Sequence, residues 1–250
     1  MDNLPTKATT AVLNEAKGLL SKFLGPAFEE AGAVLGDHVR TFRLRQQIKL
    51  LRKAERILKD EGLKPKAVNM RVLLPLLDAA ALEDDEEMAA RWASLLASAA
   101  NPNTHMSLEA SFIEILKQLP PTHAFVLDVF YEQIDRHKIA AEKWQENGVV
   151  TEYLQKMLPL DESQFNVAVD NLLRLRLLDH PSVLLDTVNG NDVRFQVTSA
   201  GILCATHLGR AFVAACGKGY HRSTSYSVPS DSVSNVYHTQ GGSLPFLRNR

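Results

Sequence analysis

For most of this 250-residue chain the apolar residues return every three or four positions, and only near residue 190 do they alternate. A period of 3.6 buries one face of a helix and a period of two buries one face of a strand. The chain therefore reads as mainly α with a single hairpin. Val12, Leu13, Ala16, Leu19, Leu20, Phe23 and Leu24 form the first helical run, broken by Gly25-Pro26. A small-residue segment, AFEEAGAVLGDHV, follows. A long amphipathic helix is expected over about 37–61, ended by Gly62 and Pro65. MRVLLPLLDAAAL reads as a short buried helix that starts or kinks near Pro75. Asp84 with Glu87 three residues on has the form of a capping box. The helix it opens, DEEMAARWASLLASAA, stops at Asn101-Pro102.

Beyond the polar stretch NPNTHMSLEA the pattern changes. Pro120-Pro121-Thr122 opens a helix through Phe125, Val129 and Ile134, and a charged helix is expected over 140–146. A short helix over 151–158 is closed by Pro159. Asp161 is placed as an N-cap with Gln164 at the third helical position, and Phe165, Ala168, Val169, Leu172 and Leu173 point inward. Strands are expected around SVLLDTV and DVRFQV, joined by Asn189-Gly190, the strongest short hairpin signal. Thr198 is expected to cap a last helix carrying Ile202, Ala205, Phe212 and Val213. Helix, short helix, long helix and hairpin is the order of a winged helix-turn-helix. The expected organisation is a helical region over 1–111, a winged-helix-like α+β module with a β-hairpin wing over 112–216, and a disordered tail over 217–250. That tail is rich in serine and glycine and has too little apolar surface to offset ordering entropy.

Charge narrows the functional classes. The net charge of −1 excludes wholesale attraction to polyanions, so such binding must come from a local patch. Residues 1–66 carry +5, 67–112 carry −5, 113–216 carry −4 and the tail +3. Two cysteines, Cys204 and Cys216, read as twelve apart on one helix, make no disulfide framework. MDNLPTKATT lacks the apolar centre of a signal peptide, and no run of about 18 apolar residues occurs, so a cytoplasmic protein is expected. The eight histidines show no HExxH spacing or metal-type pairing with cysteine, and no phosphate-binding glycine loop or nucleophile elbow is present. Neither an enzyme activity nor a cofactor or metal is expected, and no small-molecule substrate is evident.

Three charged features remain. Glu83-Asp84-Asp85-Glu86-Glu87 is read as a helix start, where the dipole and free N–H groups favour carboxylates, because consecutive helical positions cannot converge on one ion. On the long helix Leu44, Ile48, Leu51 and Leu58 share an arc with Leu50, Ala54 and Ile57 beside them. Arg45, Lys49, Arg52, Lys53, Arg56 and Lys59 form the opposite arc, a stripe suited to an anionic partner, an anionic lipid surface or plain solvent. The exposed side of the Asp161-capped helix offers Gln164, Asn166, Asp170, Asn171 and Arg174. One cation among five, with Asp186 and Asp192 near the hairpin tip, favours a protein contact over DNA.

One segment is more specific. LLPLLDAAALEDDEEMAARWASLLASAANP, followed by SFIEILKQLPPTHAFVLDVF, resembles the Abi-alpha (abortive infection alpha) family of bacterial proteins. The resemblance rests on the apolar helix, the LEDDEE turn, Trp92 within WASLL, the SFIEILKQL helix and the Pro-Pro start after it. It spans about residues 40–180 and implies a role in defence against phage, in which an infected cell stops growing or dies before virions are released. It carries no catalytic residue onto this chain. Trp92, Leu95 and Leu96 read as one buried helical face. The expected mode of action is interaction with a protein partner or with a second copy. The alternatives are a winged-helix DNA-binding regulator and a membrane-directed effector acting through its N-terminal amphipathic helices.

Overall fold

The computed structural model describes residues 7–25, 41–104, 110–138, 147–185, 195–198, 201–217 and 236–238. The AFEEAGAVLGDHV segment, the charged helix expected over 140–146, the Asn189-Gly190 turn with Asp186 and Asp192, and most of 217–250 lie outside them. The protein is mainly helical, and its chain divides into two units. One is Met1–Gln118 with Ala214–His221, the other Leu119–Val213 with Arg222–Arg250.

The first unit contains α1 (Lys7–Leu24), α2 (Thr41–Asp60), α3 (Met70–Ala80), α4 (Glu86–Ala100) and α5 (Ala110–Lys117). The α1 residues Ala16, Leu19, Leu20, Phe23 and Leu24 are buried, as their spacing requires. Leu44, Ile48, Leu50, Leu51, Ala54 and Leu58 of α2 are buried too, with Ile57 half-buried. At the end of α2 the Leu63 amide donates to the Leu58 carbonyl (2.8 Å) and Gly62 to Lys59 (2.9 Å). Gly62 has φ +72°, the left-handed turn that glycine adopts without a Cβ penalty. Asn69 caps α3, accepting from the Arg71 amide, and Pro75 sits inside that helix.

Helix α4 is the centre of this unit and packs against α2 and α3. Its cap is Asp85, which accepts from the Met88 amide at 2.9 Å, so the Asp84–Glu87 box is corrected by one residue. Glu83 supports the turn by accepting from the Asp85 amide at 3.1 Å. Trp92, Leu95 and Leu96 are buried as their spacing requires, and burial extends beyond that face. From Ala90 to Ser98 every residue is buried, because neighbouring segments cover α4 on more than one side. One of these covers is residue 215, whose carbonyl accepts from Ser98 Oγ at 2.8 Å. Burying each of Leu73, Leu76, Leu95 and Leu96 favours the fold by about 1.5–3 kcal/mol.

The second unit runs α6 (Pro121–Arg136), β1 (Asn147–Val150), α7 (Thr151–Lys156), α8 (Glu162–Arg174), β2 (Leu178–Asp179), β3 (Ser182–Leu185), β4 (Phe195–Thr198), β5 (Ile202–Ala205), α9 (His207–Cys216) and β6 (Val236–His238). The last residues of α9, from Ala214, fall in the first unit. The Asp161–Gln164 capping box of α8 is present in both directions, at 2.8 and 3.2 Å. β3 and β4 pair antiparallel, as expected of the two strands, with Ser182 opposite Thr198. A second antiparallel sheet has the order β2-β5-β1-β6, which sets Leu203 opposite Val149 and Ala205 opposite Leu178. From the segment read as a tail, Val236–His238 thus pairs with β1.

The last helix does not begin at Thr198. Ile202–Ala205 is the central strand β5, buried at all four positions because it is paired on both sides, and such a run mimics a helical segment in sequence. Thr206 makes the cap instead, its Oγ1 accepting from the Gly209 amide at 2.8 Å. Cys204 consequently lies on a strand and Cys216 on a helix, not both on one helix. Burial pushes the Cys204 thiol up to about 12, so it stays protonated at neutral pH.

Candidate functional site

Two exposed helix faces hold the residues singled out from sequence, and each belongs to one unit. On α2 the stripe is solvent-facing: Arg45, Lys49, Arg52, Arg56 and Lys59 are exposed and Lys53 is half-buried. Neighbouring helices already answer part of its charge. Arg52 pairs with Glu15 of α1, and Lys49 Nζ lies 3.7 Å from Glu86 of α4. Just off the stripe, Glu55 binds Lys22 of α1 at 2.6 Å. Arg45, Arg56 and Lys59 pair with no carboxylate among the described residues.

A cleft of about 90 Å³ runs beside the stripe, with Lys49 and Lys53 on its α2 wall and Glu83 and Glu86 opposite. Leu50 and Ala89 supply apolar lining. Burial in this cleft, followed by the charge of Lys49, holds the Lys53 ammonium below the ordinary lysine value, and Glu86 works in the other direction. The acidic turn is therefore both a helix start and a local counter-charge to α2. Leu82, at its beginning, is 67% exposed.

On α8 the five expected residues do not act as one surface. Gln164 is used in the capping box. Asn171 donates its amide Nδ2 to His123 Nδ1 of α6 at 2.9 Å, while its Oδ1 accepts from Arg174 at 2.6 Å. That arginine contact fixes the amide orientation, so the neutral His123 ring carries its proton on Nε2. Asn166 and Asp170 remain exposed, together with Val167, 56% exposed between them and overlooked from sequence. Its signal in the sequence is an apolar β-branched residue on an otherwise polar helical arc.

His123 gives this unit a pH dependence. Burial holds its pKa below the usual histidine value, near 6.5 in an unfolded chain. Stability from the neutral ring is thus present above about pH 6.5 and is lost as pH falls through the folded value. His123→Gln is expected to flatten the fall in melting temperature between about pH 7 and pH 5. Identical slopes for parent and variant would contradict this assignment.

A polar junction behind α8 was also invisible in the sequence. Tyr131 of α6 donates its hydroxyl to the Leu177 carbonyl (3.1 Å) or that of Thr206 (3.2 Å), and accepts from the Thr206 amide at 3.3 Å. Burial pushes its phenol up to about 12, so it remains a donor. Arg210 of α9 sits 5.9 Å from the Tyr131 ring centre and pairs with Asp135 at 2.7 Å. Arg176, at φ +58°, takes the left-handed position after α8, and Thr206 Oγ1 donates to its carbonyl at 2.7 Å. These contacts fasten α6, β2 and α9 around the end of the helix that carries the exposed face. Arg91 and Gln133 are buried polar side chains that an apolar-period reading passes over. Among the described residues no group of three or more His, Cys, Asp or Glu is placed to hold a metal, and no helix is long and apolar enough to cross a membrane.

Fold and surfaces together define a mainly helical, two-unit protein with two small antiparallel sheets and two exposed, largely polar helix faces among its described residues. The abortive infection alpha family model matches residues 43–216, well over half of the chain, and the chain belongs to that family. The match begins within α2 and ends with α9, leaving α1 ahead of it. No curated protein and no solved structure matches the chain.

Proposed function

We propose that this protein serves bacterial antiphage defence of the abortive-infection kind, acting in the cytoplasm through macromolecular contact and not through catalysis or a bound cofactor. Family membership carries the defence role. The contact mode is supported by α8. With α6, α7 and α8 taken as the three helices of a winged helix, β1, β5 and β2 as its small sheet and β3–β4 as its wing, α8 is the helix offered to a partner. Its outer centre is Val167, flanked by an amide, a carboxylate and one guanidinium.

A protein partner suits that composition. A DNA reader combines base-contacting groups with several phosphate-contacting cations, and this face has Arg174 alone, turned partly onto Asn171. Lying in a membrane interface requires a helix to give its apolar face to lipid. The apolar faces of α1 and α2 are spent on the protein interior. Phage challenge of a susceptible bacterium expressing the protein tests the reading. The parent should reduce plaque number, whereas Val167→Glu should lose protection while keeping its melting temperature. Full protection by that variant would remove α8 as the contact face, and salt-steep DNA binding by the parent would favour a regulator.

A further inference from the structure

We propose that the first unit docks onto a second copy of this chain, the α2 stripe of each copy receiving the acidic turn 82–87 of the other. The inference rests on the contact mode proposed above, not on the defence role. A two-fold interface needs a patch that contains both a feature and its complement. Here the two lie side by side, since Lys49 and Lys53 face Glu83 and Glu86 across one cleft. On either side of that cleft charge is left over. Arg45, Arg56 and Lys59 are exposed cations, Asp84 and Glu87 exposed carboxylates, and none of them forms an ion pair among the described residues. The Lys49–Glu86 pair, 3.7 Å apart with side chains 63% and 89% exposed, is a loose version within one chain of the contact proposed between two.

The surroundings favour this occupant over a broad polyanion. A nucleic acid or anionic bilayer laid along α2 would meet Glu15 on one flank and Glu86 on the other, both already held against the stripe. A second copy avoids that conflict, because it brings its carboxylates on a narrow turn and its own cations to the acids it meets. Leu82, exposed at the head of the same turn, supplies the apolar contact that charge alone does not provide.

Charge reversal tests the arrangement directly on purified full-length protein. The parent should sediment at twice the chain mass of 27.7 kDa in low salt. It should dissociate in about 1 M salt, where the screening length falls to about 3 Å. Arg45→Glu with Arg56→Glu should be monomeric, and so should Asp84→Lys with Glu87→Lys. Mixing the two should restore the double mass, because both contacts of a mixed pair then join opposite charges. If a reversed protein melts abnormally, the milder pairs Arg45→Gln with Arg56→Gln and Asp84→Asn with Glu87→Gln should each weaken association at least tenfold. A parent that stays monomeric at high concentration overturns the proposal, as does a dimer indifferent to these changes or reversed variants that do not rescue each other. A monomer that co-sediments with phosphatidylserine vesicles or shifts an RNA would assign the stripe to that ligand instead. These measurements carry no defence readout. Loss of plaque protection with intact rescue therefore rejects the defence reading alone, and the reverse rejects the interface alone.

Discussion

Gly209→Ala is expected to destabilise the second unit by about 3 kcal/mol, the upper part of the range for overfilling a packed site. A Cβ at residue 209 would stand 2.1 Å from the Leu177 carbonyl oxygen and 2.3 Å from Tyr131 Oη. Neither can yield cheaply. Leu177 belongs to the turn that closes α8, and Tyr131 Oη is held by Leu177 and by Thr206. Moving α9 outward would stretch the Gly209 amide to Thr206 Oγ1 bond and the Arg210–Asp135 pair as well. Gly18 provides the control. It lies within α1 with nothing within 4 Å of its missing Cβ, so Gly18→Ala should stabilise by about 0.5–1 kcal/mol. Urea melts of the two variants should move in opposite directions. Gly209→Ala melting like the parent would mean that the junction around Tyr131 is looser than described.

Trp92→Ala should cost about 3–5 kcal/mol, lowering soluble yield and any protection together. The indole is 2% exposed in the helix that the rest of its unit surrounds, with Leu95 and Leu96 buried on the following turn. Its N–H has no acceptor among the described residues, so it is the volume of the ring that matters. Trp92→Phe should therefore cost clearly less than Trp92→Ala. A Trp92→Ala protein that folds and melts normally but no longer protects would place the ring at a functional surface.

The elements legible in the sequence are those whose signals are local. The Asp161–Gln164 box, the apolar arc of α2 and the α4 stop at Asn101 each depend on residues within a few positions of one another. What escaped depends on partners distant in the chain. Ile202–Ala205 is a strand only because β1 and β2 flank it, and four apolar residues in a row fit either period. Once it is a strand, the cap moves from Thr198 to Thr206. Glu15 meets Arg52 across two helices, and Asn171 meets His123 from 48 residues away. The residue types on the two candidate faces were thus readable, but which of them were already occupied was not.

Culture collapse under phage is the most direct test of the defence role. Bacteria expressing the protein, and bacteria carrying an empty vector, should be infected at low and at high phage dose. Abortive infection predicts that the expressing culture survives the low dose, where few cells are sacrificed. At the high dose it should collapse early, with few virions released per cell. Equal collapse and equal virion yield with and without the protein, at both doses and with the protein folded and present, would contradict the account.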